Sequence, residues 1–339
     1  MKLALRILEI VIIATFCSIT AFAQIGLDKV AQSTMNFQLV SVSPRASALG
    51  EAVYAISTGA DAIFTNPAGL SEMKNTRDVT LSYTAWIADI KYTAGAFAWD
   101  LGDAGTVGVS ALGVDYGTIY ATRLVGSNEG SANYNTPYED LGEMQNVGAY
   151  SFGISYGRHV NDQFLVGGTM RYTGQNLGQS LLLSGVKNNN AAKLVFDIGV
   201  KYYTALPGFR FGMTFRNFST SVLREKISEQ MPLTFTLATA IDLFDTFDPG
   251  HPKETSLLVG VDYLHPNNYS ERMNFGVEYT FMGMLALRGG YQTNRDLASW
   301  SAGIGLFKKV SDYDIRVDYS YSAEEYFTNV SRVSIGLGF

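Results

Sequence analysis

The sequence predicts an all-β protein: a transmembrane antiparallel β-barrel of about fourteen strands. Three observations predict it. Apolar and polar residues alternate with a period of two through most of the chain, which places them on opposite faces of a strand. Most of these segments run roughly ten residues, the length a tilted strand needs to cross a bilayer and longer than the five or six usual in soluble sheets. Short connections also interleave with long ones, the rhythm of a barrel with turns at one rim and loops at the other.

The first element is a secretory signal over residues 1–23. Lys2 and Arg6 supply a basic start, a mostly apolar stretch interrupted by Glu9 runs from Leu8 to Ile19, and Ala21-Phe22-Ala23 fits the small-x-small cleavage rule. Gln24 becomes the first mature residue, and the single cysteine, Cys17, leaves with the signal. The mature chain then carries no thiol and a net charge of about −7, against −6 for the full chain. No basic stripe is present, which excludes nucleic acid as a partner.

Residues 24–76 lie between the signal and the first alternating segment. This stretch ends in the phrase "DAIFTNPAGLS" (61–71), where Pro67 removes a backbone donor, Asn66 is biased away from helical angles and Gly69 tolerates a positive φ. Asn66, Pro67, Ala68, Gly69 and Leu70 therefore read as a structural turn motif, with a gating role as the lesser alternative.

Residues 77–339 form the barrel. The alternating segments fall near 78–88, 91–101, 104–115, 146–159, 163–175, 193–204, 208–217, 231–243, 255–264, 271–281, 284–293, 298–308, 312–322 and 329–339. In the stretch 312–321, Tyr313, Ile315, Val317, Tyr319 and Tyr321 share one face while Asp312, Asp314, Arg316, Asp318 and Ser320 share the other. The long connections are expected at 117–145, 176–192 and 218–230. The alternating end "SRVSIGLGF" closes on Phe339, similar to the signal by which outer-membrane barrels reach their insertion machinery.

Little chemistry is visible. His159, His251 and His265 lie in separate turns, so no metal-ligand spacing exists, and the usual serine-nucleophile motifs are missing from the mature chain. No catalytic, cofactor-binding or metal-binding residue is expected. Arg171, Asp197, Lys201, Arg210, Arg216, Asp242, Asp262, Glu278, Arg288, Arg316 and Asp318 fall on the polar faces and point into the lumen. Their mixed signs suit a salt-bridge network holding a plug better than a charge-selective path.

The run 42–71, "VSPRASALGEAVYAISTGADAIFTNPAGLS", resembles the N-terminal signature of the PorV/PorQ branch of the FadL-type outer-membrane proteins. Arg45, Ala46, Gly50, Ala52, Asp61, Ala62 and Asn66 through Leu70 match, and Leu49 stands where methionine is frequent. The resemblance implies a fourteen-stranded barrel with residues 24–76 as an N-terminal plug or hatch segment in its lumen, in the outer membrane of a Bacteroidetes-like Gram-negative bacterium. It further implies an accessory protein of the type IX secretion system, touching outer-membrane lipid, the translocon or attachment complex, and the C-terminal domains of exported cargo. The candidate partner-binding loop carries Tyr134, Tyr138, Glu139, Asp140 and Met144, an aromatic and polar mixture suited to interfaces. The alternatives are a FadL-like transporter of hydrophobic small molecules, which needs an oily lumen pocket, and a PorQ-like tether for a partner protein.

Overall fold

The computed structural model describes residues 33–124, 138–182, 185–224, 227–248, 250–295, 300–324 and 327–339. The expected signal peptide and residues 24–32 lie outside them.

Fourteen strands close into one antiparallel barrel. They are β1 (Arg77–Ala85), β2 (Lys91–Asp100), β3 (Thr106–Asp115), β6 (Gly148–His159), β7 (Phe164–Leu182), β8 (Gly185–Tyr203), β9 (Phe209–Phe218), β12 (Thr234–Asp242), β13 (Ser256–Pro266), β14 (Arg272–Phe281), β15 (Leu285–Gln292), β16 (Trp300–Val310), β17 (Tyr313–Ser322) and β18 (Val330–Gly338). They follow one another around the wall in chain order, and β18 closes on β1 with Val79 opposite Leu337. Closure leaves no free strand edge, the condition for a sheet to exist in lipid.

The alternation decides which face is which. Leu81, Ile154, Ile198, Leu237 and Ile335 are exposed on the outside, whereas Thr80, Ser155, Asp197, Thr236 and Ser334 on the same strands are buried inside. An outer face this apolar has no soluble partner among the described residues and requires lipid. Aromatic residues collect at both ends of that face. Trp99, Tyr156, Tyr202, Phe281 and Tyr313 lie toward the rim that holds the end of the chain; Tyr83, Tyr150, Tyr172, Tyr263 and Tyr321 lie toward the opposite rim. Such paired girdles mark the two water interfaces of an outer-membrane barrel.

The loops differ from the sequence reading. Residues 176–182 and 185–192, expected as a loop, belong to β7 and β8, which stay paired from Phe164↔Tyr202 through a bulge after Asn176 to Leu182↔Gly185. The alternation fades there because a hairpin standing clear of the bilayer meets water on both faces, so backbone pairing continues without a pattern to announce it. Two smaller hairpins occupy the other long connections: β4 (Tyr120–Leu124) with β5 (Tyr138–Glu143), and β10 (Val222–Arg224) with β11 (Ile227–Glu229). The connection after β12 carries a short helix, Leu243–Phe247, capped by the Asp242 carboxylate at the amides of Phe244 and Asp245. Asp242, expected among the lumen-facing charges, lies on the buried inward face of β12, and its carboxylate is taken by this helix start.

The N-terminal segment, from Ser33 to Asn75, runs along the inner face of the wall. It contains a five-residue helix, Pro44–Ala48, with Ser43 as its cap and Pro44 at the first position, and three short 3-10 turns at Asn36–Leu39, Gly59–Phe64 and Pro67–Glu72. Ala48, Leu49, Ala60, Ala62, Asn66, Ala68 and Leu70 are essentially inaccessible to solvent.

Candidate functional site: the barrel interior

The interior is built from a groove of glycines that seats the segment's backbone. Gly290, Gly276, Gly260 and Gly212 point inward from β15, β14, β13 and β9. A Cβ on them would lie 2.0 Å from the Gly50 amide nitrogen, 2.6 Å from the Leu49 carbonyl, 2.7 Å from the Ala52 carbonyl and 2.5 Å from the Tyr54 carbonyl. Around the other half, Gly199, Gly167 and Gly157 from β8, β7 and β6 face Asn66 and Pro67, with a Cβ of Gly167 only 2.3 Å from the Pro67 carbonyl carbon. The register aligns these glycines, with Gly260 opposite Gly276, Gly276 opposite Gly290, and Gly167 opposite both Gly157 and Gly199. Residues 48–70 thus lie against the wall at backbone distance, which only glycine permits.

Charged side chains fasten the segment beside the groove. Arg45 reaches Glu278 at 2.7 Å, and Arg288 joins the same Glu278 to Asp318. Arg171 contacts Asp197 at 2.8 Å and donates to the Gln38 side-chain Oε1 at 3.0 Å, Arg216 donates to the Tyr54 hydroxyl at 2.8 Å, and Arg295 pairs with Glu51 at 3.1 Å. Lys201 bonds Glu72, and Tyr203 donates to the same carboxylate. Asp262 accepts from the Tyr54 amide at 3.0 Å through one oxygen, while its other oxygen has no partner. Burial pushes the Asp61 carboxyl above the usual carboxylate range, against the pull of Arg316. The strand-borne charges therefore serve largely as anchors, since a desolvated charge must be paired to be tolerated.

Within the turn motif, Asn66 is the node. Its amide donates to the carbonyls of Tyr54 (2.7 Å) and Val200 (3.1 Å), and its carbonyl accepts from the Ala68 amide (3.1 Å). One side chain joins the turn to an earlier stretch of the segment and to β8. Pro67, Ala68, Gly69 and Leu70 are buried beside it. The β9 wall is also adapted here. Asn217 takes a left-handed φ of 62°, sits on a bulge, and turns its amide to Asp197 at 2.7 Å.

Of the candidate partner-binding residues, Tyr134 lies outside the described residues. Tyr138, Glu139 and Asp140 belong to β5, with Glu139 and Asp140 exposed, and Met144 follows the strand, its amide bonded to the Ile119 carbonyl at 2.8 Å. They form one small hairpin outside the barrel and do not meet Asn66–Leu70. Among the described residues, no group of three His, Cys, Asp or Glu is arranged to hold a metal ion.

Two cavities flank the segment. One of about 680 Å³ opens at the chain-end rim and is lined by charges including Arg45, Asp61, Lys74, Glu278, Lys309 and Arg316. One of about 250 Å³ lies toward the long-loop rim beside Trp86, Tyr269 and Arg332. The apolar part of the interior is filled: Met35, Phe37 and Val42 of the segment pack against Tyr92, Ala94, Val114, Ala149 and Val195 of the wall. The sequence reading missed the glycine groove and the role of Arg332. The signal for the groove was present as glycines recurring on the polar faces of strands.

No family model matches the sequence, and no curated protein matches it. Solved structures do. The toluene transporter TbuX of Ralstonia pickettii superposes with a TM-score of 0.55 at 16% identity, covering 89% of this chain and 98% of that one. The toluene transporter TodX of Pseudomonas putida gives 0.55 at 12% identity, covering 87% and 96%. The monoaromatic hydrocarbon channel CymD gives 0.53 at 11% identity, covering 88% and 97%. At such identities the likeness is one of fold, and the fold is that of a FadL-type outer-membrane β-barrel.

Proposed function

We propose that the protein passes a small hydrophobic molecule across the outer membrane, and that its N-terminal segment is the plug that closes the path. The observation that carries this reading is an apolar patch where the segment meets β2. The inward residues of β2 are Tyr92, Ala94, Ala96 and Ala98; Met35, Phe37 and Val42 of the segment pack on the first two, and Ala60, Ile63 and Leu70 on the last two. A small void of about 40 Å³ next to it is lined in part by Val40, Val42, Phe64 and Leu112. A shift of residues 33–42 exposes a surface of the kind that binds small apolar molecules. The shared fold with transporters of toluene supports the same substrate class. The test is whole-cell uptake of labelled toluene at low concentration, in a bacterium with an intact outer membrane. Expression of the protein is expected to raise the rate, and a rate equal to the empty-vector strain rejects the reading.

A second reading, the secretion accessory that the 42–71 signature implies, is favoured by a different observation. Residues 48–70 are seated at backbone distance on the wall, and three hairpins rise from one arc of the rim between β3 and β12. A filled barrel with one-sided projections suits a platform for other proteins. Purification of the tagged protein in mild detergent distinguishes the two: a large outer-membrane translocon or cargo with C-terminal sorting domains supports the platform, and the absence of both rejects it.

A further inference from the structure

Arg332 is a charge without an opposite charge. It points inward from β18, is 3% exposed, and donates to three neutral oxygens: the Ser41 carbonyl at 2.9 Å, the Ser47 hydroxyl at 2.7 Å and the Ser322 hydroxyl at 3.2 Å. Among the described residues, no carboxylate lies within 4.0 Å of it, whereas Arg45, Arg171, Arg288, Arg295 and Arg316 all have one. Its guanidinium stacks over the Trp86 ring at 5.2 Å, which fixes its plane. A buried guanidinium is costly unless something anionic answers it, and its planar fork matches a carboxylate or phosphate.

The cavity in front of it supplies the room. It holds about 250 Å³, below the roughly 300–1,000 Å³ of sites for drug-sized ligands, and it lies at the long-loop rim. Arg272, stacked on Tyr269 at 4.6 Å, and Arg295 add two further guanidiniums to its lining, against two carboxylates, Glu51 and Glu324. Glu51 already pairs with Arg295, whereas Arg332 has no carboxylate within 4.0 Å among the described residues, and Gln292 and the serines suit hydroxyl groups. Trp86, Tyr269 and Trp300 give the cavity aromatic faces on which a sugar ring can stack. We propose that this outer vestibule binds an acidic sugar unit, with Arg332 as the buried anchor for its oxyanion. The inference concerns a different cavity from the apolar patch of the transport reading, although Val40 and Trp86 border both.

The test is calorimetric titration of the full-length protein in detergent with glucuronate, glucose and inorganic phosphate. Glucuronate is expected to bind, with glucose and phosphate each roughly tenfold weaker or more, since each lacks half of the recognised chemistry. Arg332→Gln is expected to weaken glucuronate by about tenfold or more, and Arg295→Gln, at the rim and away from the wall anchor, by less. Glucose binding as well as glucuronate, phosphate binding as well as glucuronate, or no binding of glucuronate overturns the proposal with the unaltered protein alone. Unchanged affinity in an Arg332→Gln variant that keeps its thermal transition also overturns it. Toluene uptake is scored separately, so failure of one reading does not hide in failure of the other.

Discussion

Gly289 and Gly290 are neighbours on β15, one facing lipid and the other the N-terminal segment, and they make a paired test of how the interior is built. A methyl group on Gly289 has nothing within 4 Å. On Gly290 it falls 2.0 Å from the Gly50 amide nitrogen, 2.3 Å from the Leu49 carbonyl carbon and 2.6 Å from the Gly50 Cα. Ordinary contact is about 3.5 Å, so the segment must retreat by about 1.5 Å. That retreat pulls on the bonds fixing it to the wall, from the Gly50 amide to the Ser301 hydroxyl at 3.2 Å and from the Gln292 amide to the Gly50 carbonyl at 3.0 Å. Overpacking of this kind costs about 1–3 kcal/mol, whereas Gly289→Ala gains up to about 0.5 kcal/mol because the unfolded chain becomes less free. The two variants should therefore differ by about 1–3.5 kcal/mol in urea-driven unfolding from lipid vesicles. Equal stabilities within about 0.5 kcal/mol would show that residues 49–50 do not rest on the wall, and the account of a glycine groove would fail.

The anchoring bonds give further tests. Glu278→Gln leaves Arg45 and Arg288 facing each other without their shared carboxylate and is expected to cost about 3 kcal/mol; a double-mutant cycle with Arg45→Gln should be strongly non-additive, and simple additivity would contradict the shared bond. Asn66→Ala loses three hydrogen bonds and should cost about 2–3 kcal/mol. Asn66→Asp should be worse than alanine because it turns a carboxylate toward the Tyr54 and Val200 carbonyls, and proteolysis of the segment in native membranes reads out both variants. Asp262→Asn is expected to be neutral or stabilising at neutral pH. Its carboxylate is 1% exposed with no cation within 4.0 Å among the described residues, and the amide oxygen can still accept from the Tyr54 amide. A large loss of stability there would reveal a partner for the charge.

The wall was legible because a strand in lipid is constrained one residue at a time. Each of the fourteen strands overlaps an alternating segment, since the outward residue must suit lipid whatever lies elsewhere in the protein. Where lipid ends, legibility ends with it. The outer half of the β7–β8 hairpin carries Asn188, Asn189 and Asn190 and reads as loop, yet the strands stay paired. The inward charges were also legible as a set, but their partners were not. Nothing in the spacing of Arg45 and Glu278, 233 residues apart, announces their contact.

By itself, the sequence determined the class of fold, the strand count, the lipid-facing residues and the sparse chemistry of the chain, all of which depend on local pattern against solvent or lipid. The tertiary structure alone decided that the inward glycines of separate strands form one groove for residues 48–70. It alone brought Asn66 to Tyr54 and Val200, and left Arg332 buried beside an open vestibule with no carboxylate within 4.0 Å of it among the described residues. These are relations between segments distant in the chain, fixed by closure and register of the barrel, and a period of two carries no information about which inward residue will meet which.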